Sequence, residues 1–225
     1  MVNYLNYYES NQRQPPPSCG NLVRLFTTPL LICPCPIDYS KELGWIRSVK
    51  YRRGNKIEKR ILNRQSENTF VLDRPELGNI RSFIEAKLHD FISNIYASED
   101  KLVITQSWLN RSKKGESHHL HVHPNSIISG VWYPQLNVES PCIHFTKERK
   151  KEVSFHSKQF NEFNSETYVP EINEGDLILF PSNLSHSVPL NESDQERISL
   201  SFNTWVKGNL GNERTLTYLP LERCV

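Results

Sequence analysis

The sequence is as informative for what it withholds as for what it shows. It has no run of apolar residues long enough to cross a bilayer, which argues against a helical membrane protein. Its start, Met1-Val2-Asn3-Tyr4-Leu5-Asn6, lacks a basic stretch followed by an apolar one, so no signal peptide is expected and a cytoplasmic setting is. Charge of one sign is missing too: 27 Lys and Arg against 25 Asp and Glu leave +2, and net charge gives no support for nucleic-acid or membrane binding. Five cysteines (Cys19, Cys33, Cys35, Cys142, Cys224) are too scattered, and odd in number, for a disulfide framework. Cys33-Pro34-Cys35 has no second pair to complete a zinc knuckle. No internal repeat appears.

What remains is an ordinary globular composition, 37% hydrophobic and 23% charged, over 225 residues. That length suits one domain with a core of its own. Residues 1–21 are polar and contain Pro15-Pro16-Pro17, and read as a flexible leader. Residues 22–225 read as a single domain. Its helical support spans about 37–97 and its β core about 101–206.

Leu22 to Cys33 is apolar, broken at Pro29, and suits an edge strand. Asp38 or Ser40 is placed to cap a short helix carrying Leu43, Trp45, Ile46 and Val49. Lys50 to Arg64 is strongly basic and reads as a solvated loop, as does the basic cluster Lys147, Arg149, Lys150, Lys151. Pro75 to Ala97 holds Leu77, Ile80, Phe83, Ile84, Leu88, Phe91, Ile92 and Ile95 at helical spacing, with Pro75 in the first turn.

From residue 102 onward the period changes. Strands are expected at 103–109, 126–133, 143–146, 153–160, 166–169, 176–180, 187–190 and 197–206, with one more in the tail from Arg214. Many short strands at even spacing predict a mainly β fold with flanking helices, of jelly-roll type.

Four of the eight histidines lie within six residues, in His118-His119-Leu120-His121-Val122-His123. In an extended strand His119, His121 and His123 share one face, while Leu120 and Val122 share the other. Neighbouring imidazoles on one strand face suit iron or zinc. A further ligand from elsewhere in the chain is expected at His186. No H-x-D or H-x-E pair completes the cluster, so two registers stand open. Either His121 and His123 form the near pair with His186, or His123 pairs with Asn125 in the position of a carboxylate. The first is preferred, because an imidazole is a better ligand than a neutral amide and Pro124 interrupts the strand. His118, His144 and His156 have no comparable context and read as ordinary surface or core residues.

Eleven residues after His186 comes Arg197-Ile198-Ser199, which places a guanidinium and a hydroxyl on one strand face. A guanidinium binds a carboxylate through two parallel hydrogen bonds, and a serine adds a third.

As a set, these pieces resemble a known family. They are His121-x-His123-Pro124-Asn125-Ser126, Ser129-Gly130-Val131-Trp132-Tyr133, Gly175-Asp176-Leu177-x-x-Phe180-Pro181-Ser182, His186 and Arg197-Ile198-Ser199-x-Ser201-Phe202-Asn203. Leu25-Phe26-x-Thr28-Pro29 and Trp108-Leu109-Asn110 extend the pattern toward the N-terminus. The family is that of the 2-oxoglutarate- and Fe(II)-dependent oxygenases found in bacteria and marine phages.

The resemblance implies a double-stranded β-helix, with Fe(II) as cofactor and 2-oxoglutarate and dioxygen as co-substrates. It implies hydroxylation of a substrate that the sequence does not identify: a peptidyl residue, a nucleobase or a small metabolite. Iron would be held by His121, His123 and His186. The far carboxylate of 2-oxoglutarate would be held by Arg197 and Ser199, with Tyr133 and Asn125 as further contacts. Two other functions stay open: a cupin-like three-histidine metalloenzyme that does not use 2-oxoglutarate, and a non-enzymatic β-sandwich with a binding or structural role. The oligomeric state is not legible.

Overall fold

The computed structural model describes residues 25–52, 56–57, 60–136, 142–147, 153, 156–161 and 163–221. Among the described residues there are thirteen strands and two α-helices. In chain order they are β1 (Leu31–Pro34), α1 (Ser40–Ser48), β2 (Tyr51–Arg52), β3 (Lys56–Ile57), β4 (Arg60–Ile61), β5 (Arg64–Ser66) and α2 (Gly78–Ile95). Then follow β6 (Leu102–Ser112), β7 (His118–His121), β8 (Ile128–Gln135), β9 (His144–Thr146), β10 (Thr167–Tyr168), β11 (Asp176–Pro181), β12 (His186–Val188) and β13 (Arg197–Val206).

The strands form a seven-stranded sheet, in the order β1-β11-β8-β13-β6-β5-β2, and a four-stranded sheet, β10-β9-β12-β7. A two-stranded ribbon pairs β3 with β4. Every pairing within these sheets is antiparallel. The fold is the expected mainly β one with flanking helices, two sheets rolled against each other as a double-stranded β-helix.

The large sheet is buried on both faces, and its strands sort their side chains by parity. On β13, Ile198, Leu200 and Phe202 enter the core that α2 covers. On β11, Leu177 and Leu179 enter that same core, while Ile178 and Phe180 join Val131, Tyr133, Ile143 and Phe145 between the sheets. Helix α2 contributes Ile80, Phe83, Ile84, Leu88, Phe91 and Ile92. Burying a side chain of this kind is worth roughly 1.5–3 kcal/mol, so this stripe fixes the helix on the sheet. Trp132 also faces the helical side. Its indole N–H donates to the Gly175 carbonyl at 3.1 Å, and its ring meets Tyr39 edge-on. Gly130 lies where β8 passes Phe202. A Cβ there would overlap the Phe202 ring and come within 2.8 Å of Leu179 Cδ2, so the position admits no side chain.

Several sequence expectations are adjusted. The helix expected over 75–97 begins as a 3-10 turn, Pro75–Leu77, and becomes α-helical from Gly78. The basic segment 50–64 is not simply a loop: it contributes β2, β3 and β4 and reaches the start of β5. Strands of two residues are too short to show an alternating pattern among so many charges. Among the described residues of 153–160 none is in a strand. The tail forms a 3-10 turn, Glu213–Thr215, and a single bridge between Leu210 and Leu219 rather than a strand. At the start of α1 it is Asp38 whose carboxylate accepts from the Ser40 backbone N–H, at 3.0 Å. Residues 1–21, read as a leader, lie outside the described residues. Of the basic cluster 147–151, only Lys147 lies within them. Cys33, Cys35 and Cys142 are free thiols. Among the described residues no helix is long and apolar enough to cross a membrane.

Candidate metal centre

A cavity opens between the two sheets. The large sheet supplies Val131 and Tyr133 from β8, Arg197, Ser199 and Ser201 from β13, and Trp108 and Asn110 from β6. The small sheet supplies His118 and His121 from β7, and His186 and Val188 from β12. Asn63, Ile143 and His123 complete the lining.

His121 and His186 face each other across the β7–β12 pair, in register. His123 follows two residues beyond His121, past the end of β7, where its backbone N–H donates to the Ser182 carbonyl at 2.9 Å. One nitrogen of each of these three rings lies within 4.8 Å of the others.

Each ring is oriented from behind. His121 Nδ1 lies 2.8 Å from the His119 carbonyl and His186 Nδ1 2.8 Å from the Leu184 carbonyl. Carbonyl oxygens only accept, so both Nδ1 atoms carry the proton and donate. His123 Nδ1 donates to Asn203 Oδ1 at 2.6 Å, and Ser129 Oγ, at 2.9 Å from the ring, also donates to that oxygen. The tautomers that result leave every Nε2 as a bare lone pair. Such backing of a ligand imidazole is the usual support of a metal site.

Burial acts in the same direction. It pushes the pKa of His121 down to about 4 and that of His186 down to about 3, and it lowers that of His123. The rings are neutral near pH 7, the form a metal requires. Nε2 of His121 and Nε2 of His123 are 3.1 Å apart. Imidazole nitrogens bind a first-row metal at about 2.1 Å, which puts two adjacent octahedral ligands about 3 Å apart. The donor set fits a divalent transition metal such as Fe(II).

Arg197 is only 2% exposed, and burial lowers its pKa from the ordinary arginine value. With Ser199 it opens on the same cavity as the three histidines. Tyr133, 2% exposed, is close enough for its phenol and the guanidinium to influence each other, and burial holds its pKa far above the usual phenol value. These donors suit the far carboxylate of a dicarboxylate that also reaches the metal.

Asn125 is elsewhere. It is exposed, absent from the cavity wall, and sits in the turn after Pro124 with φ +56°, a conformation asparagine tolerates. The group of possible metal ligands is His121, His123 and His186, without Asn125.

The three-histidine strand face also changes. β7 takes three residues, from His121 to His118, to match two on β12, from His186 to Val188. This bulge breaks the alternation, and His118 rather than His119 enters the cavity wall. His118, read as an ordinary residue, is thus part of the site. Asn63, Asn110 and Ser201 line the cavity too, and Asn203 backs His123; Asn110, Ser201 and Asn203 stood in the motifs above without an assigned role. For Ser201 and Asn203 the signal was present, since they continue the parity of Arg197 and Ser199. For Asn63 nothing in the sequence marks it.

Residues 106–203 match the family model described as "Putative 2OG-Fe(II) oxygenase". The matched segment contains all three histidines and Arg197. No curated protein sequence matches the chain.

Solved structures share the fold at low identity. One is the non-heme alpha ketoglutarate dependent carbocyclase SnoK from nogalamycin biosynthesis: 14% identity, 81% of each chain covered, TM-score 0.56. Another is HygX from Streptomyces hygroscopicus with nickel, 2-oxoglutarate and hygromycin B bound: 12% identity, 79% of this chain and 83% of that one, TM-score 0.53. A third is a Pseudomonas putida prolyl-4-hydroxylase: 11% identity, 81% of this chain and 95% of that one, TM-score 0.56.

Proposed function

We propose that the protein is an Fe(II)- and 2-oxoglutarate-dependent dioxygenase that hydroxylates its substrate. His121, His123 and His186 hold the iron, and Arg197 and Ser199 hold the far carboxylate of 2-oxoglutarate. Tyr133 closes that end of the cavity. The observation that carries this reading is that three backed imidazoles and a buried Arg-Ser pair line one cavity.

Bound together, Fe(II) and 2-oxoglutarate supply the power to activate dioxygen and oxidise a C–H bond. The chain's own residues do the rest. Three neutral imidazoles keep the full +2 charge on the metal, where the commoner two-histidine, one-carboxylate set would cancel part of it. That favours a dianionic co-substrate. Arg197 offers paired N–H donors and Ser199 a hydroxyl. Val131, Ile143 and Val188 give the cavity apolar surface that excludes water.

A second reading is favoured by one observation: among the described residues no carboxylate stands in the cluster of possible ligands. It is the cupin-like metalloenzyme that uses three histidines without 2-oxoglutarate. Anaerobic addition of Fe(II) and 2-oxoglutarate separates the two. The dioxygenase develops a visible metal-to-ligand charge-transfer band, and Arg197→Ala needs about 10- to 100-fold more 2-oxoglutarate to reach it, the equivalent of losing charge-assisted hydrogen bonds. Iron binding with no band in the wild type would overturn this reading and favour the second.

A further inference from the structure

The cavity has a polar wall that neither the iron ligands nor the Arg197–Ser199 pair uses. It begins at Ser201 on β13. Asn110 Nδ2 donates to Ser201 Oγ at 2.9 Å, and Asn63 Nδ2 donates to Asn110 Oδ1 at 3.0 Å. His118 Nδ1 then lies 2.9 Å from Asn63 Oδ1. Asn63, Asn110 and Ser201 are all buried, at 3%, 7% and 7% exposure.

The chain has a direction. Each amide spends its N–H on the residue before it and offers its oxygen to the residue after it. With these amide orientations, Asn63 Oδ1 can only accept, so His118 Nδ1 carries the proton and donates. His118 Nε2 is therefore a bare acceptor. It makes no hydrogen bond among the described residues, and its ring lines the cavity 4.6 Å, centroid to centroid, from that of His121. It also stands outside the cluster of possible metal ligands.

The backbone has been arranged to deliver this ring. The β7 bulge turns His118 inward, and the Asn63 N–H donates to the Ser117 carbonyl at 3.2 Å, so the asparagine is tied to the residue before the histidine. Both ends of the buried Asn63 amide are hydrogen-bonded, which holds it in one orientation and fixes the ring beside it.

We infer that His118, locked by the Asn63–Asn110–Ser201 chain, is a substrate-positioning residue that accepts a hydrogen bond from an O–H or N–H of the substrate. The inference rests on the dioxygenase reading and adds to it the chemical class of the substrate. That class is a neutral molecule or residue bearing a hydroxyl or amide N–H beside the carbon to be oxidised. Among the described residues no Asp or Glu lines the cavity, and Arg197 and the metal both carry positive charge, so an ammonium group is disfavoured as the donor.

The test uses the full chain loaded with Zn(II), which is diamagnetic, and with its histidines labelled with ¹⁵N. The His118 nitrogens are read by NMR while acetamide, which has an N–H donor, or N,N-dimethylacetamide, which has none, is added. No 2-oxoglutarate is present. The expected result is a protonated Nδ1 and a bare Nε2, with a saturable shift of Nε2 caused by acetamide alone. Asn63→Leu should release the ring to both tautomers and abolish the response. Asn63→Asp, which keeps the acceptor, should preserve the tautomer.

A proton on Nε2, zinc coordination by Nε2, equal responses to the two amides, or no response to either overturns the proposal. Each outcome is independent of the charge-transfer experiment. Loss of the dioxygenase reading and loss of the His118 subsite therefore give different results.

Discussion

Nε2 of His121 and Nε2 of His123 stand 3.1 Å apart with both rings donating from Nδ1 to oxygen acceptors. Two lone pairs at that distance repel unless something positive lies between them. A proton would serve, but burial disfavours the charged ring. A divalent metal serves without that penalty.

The first prediction concerns the ligands. His121→Ala and His186→Ala should each abolish stoichiometric Fe(II) binding, measured by equilibrium dialysis under anaerobic conditions. Full binding in either variant would remove that residue from the site.

The support behind the ligands should matter almost as much. Asn203→Leu removes the oxygen that accepts from His123 Nδ1 and fixes its tautomer. Loss of such a partner typically costs about 10- to 100-fold in metal affinity. A competition titration against a chelator reads the change, and an unchanged affinity would contradict the tautomer argument.

Stability without metal should fall with acid. His118 and His186, with folded pKa values near 3, and His121, near 4, are neutral in the fold over a range where the unfolded chain, near 6.5, is protonated. Between about pH 6.5 and pH 3 the unfolded state binds more protons, so stability rises with pH across that window and levels off above it. Urea midpoints of the metal-free protein at pH 7 and pH 5 test this; equal midpoints would contradict it. Metal should steepen the trend, because protons and metal compete for the same nitrogens.

Gly130→Ala tests packing rather than chemistry. The added methyl meets Phe202 and Leu179 and should destabilise by roughly 1–3 kcal/mol. Adding Phe202→Leu should recover part of the loss. A double variant no more stable than Gly130→Ala would mean that the clash is not with Phe202.

The sequence exposed some of this site and hid the rest for definite reasons. Arg197 and Ser199 were legible because β13 runs regularly from Arg197 to Phe202 and keeps strict parity on its cavity face. Leu120 and Val122 were rightly placed on an outer face, and they are 54% and 39% exposed. His118 was not legible, because the bulge that turns it inward is set by pairing with a strand some seventy residues later. Asn63 was hidden in a basic stretch whose charges obscure the short strands around it. The left-handed turn at Asn125 was not legible, because spacing alone does not distinguish a strand position from such a turn.

The two-sided character of β13 has a consequence for how such a protein can diverge. Ile198, Leu200 and Phe202 bind the strand to the helical core, while Arg197, Ser199 and Ser201 on the same strand serve the cavity. A backbone shift that moved Arg197 and Ser199 would also unpack the core, so drift there is penalised twice. The His118 side hangs instead on the margins, on the four-residue strand β7 and the buried Asn63 just ahead of β5. A change in what the cavity accepts would therefore be written at that rim, leaving the Arg197–Ser199 end as the part of the molecule that changes last.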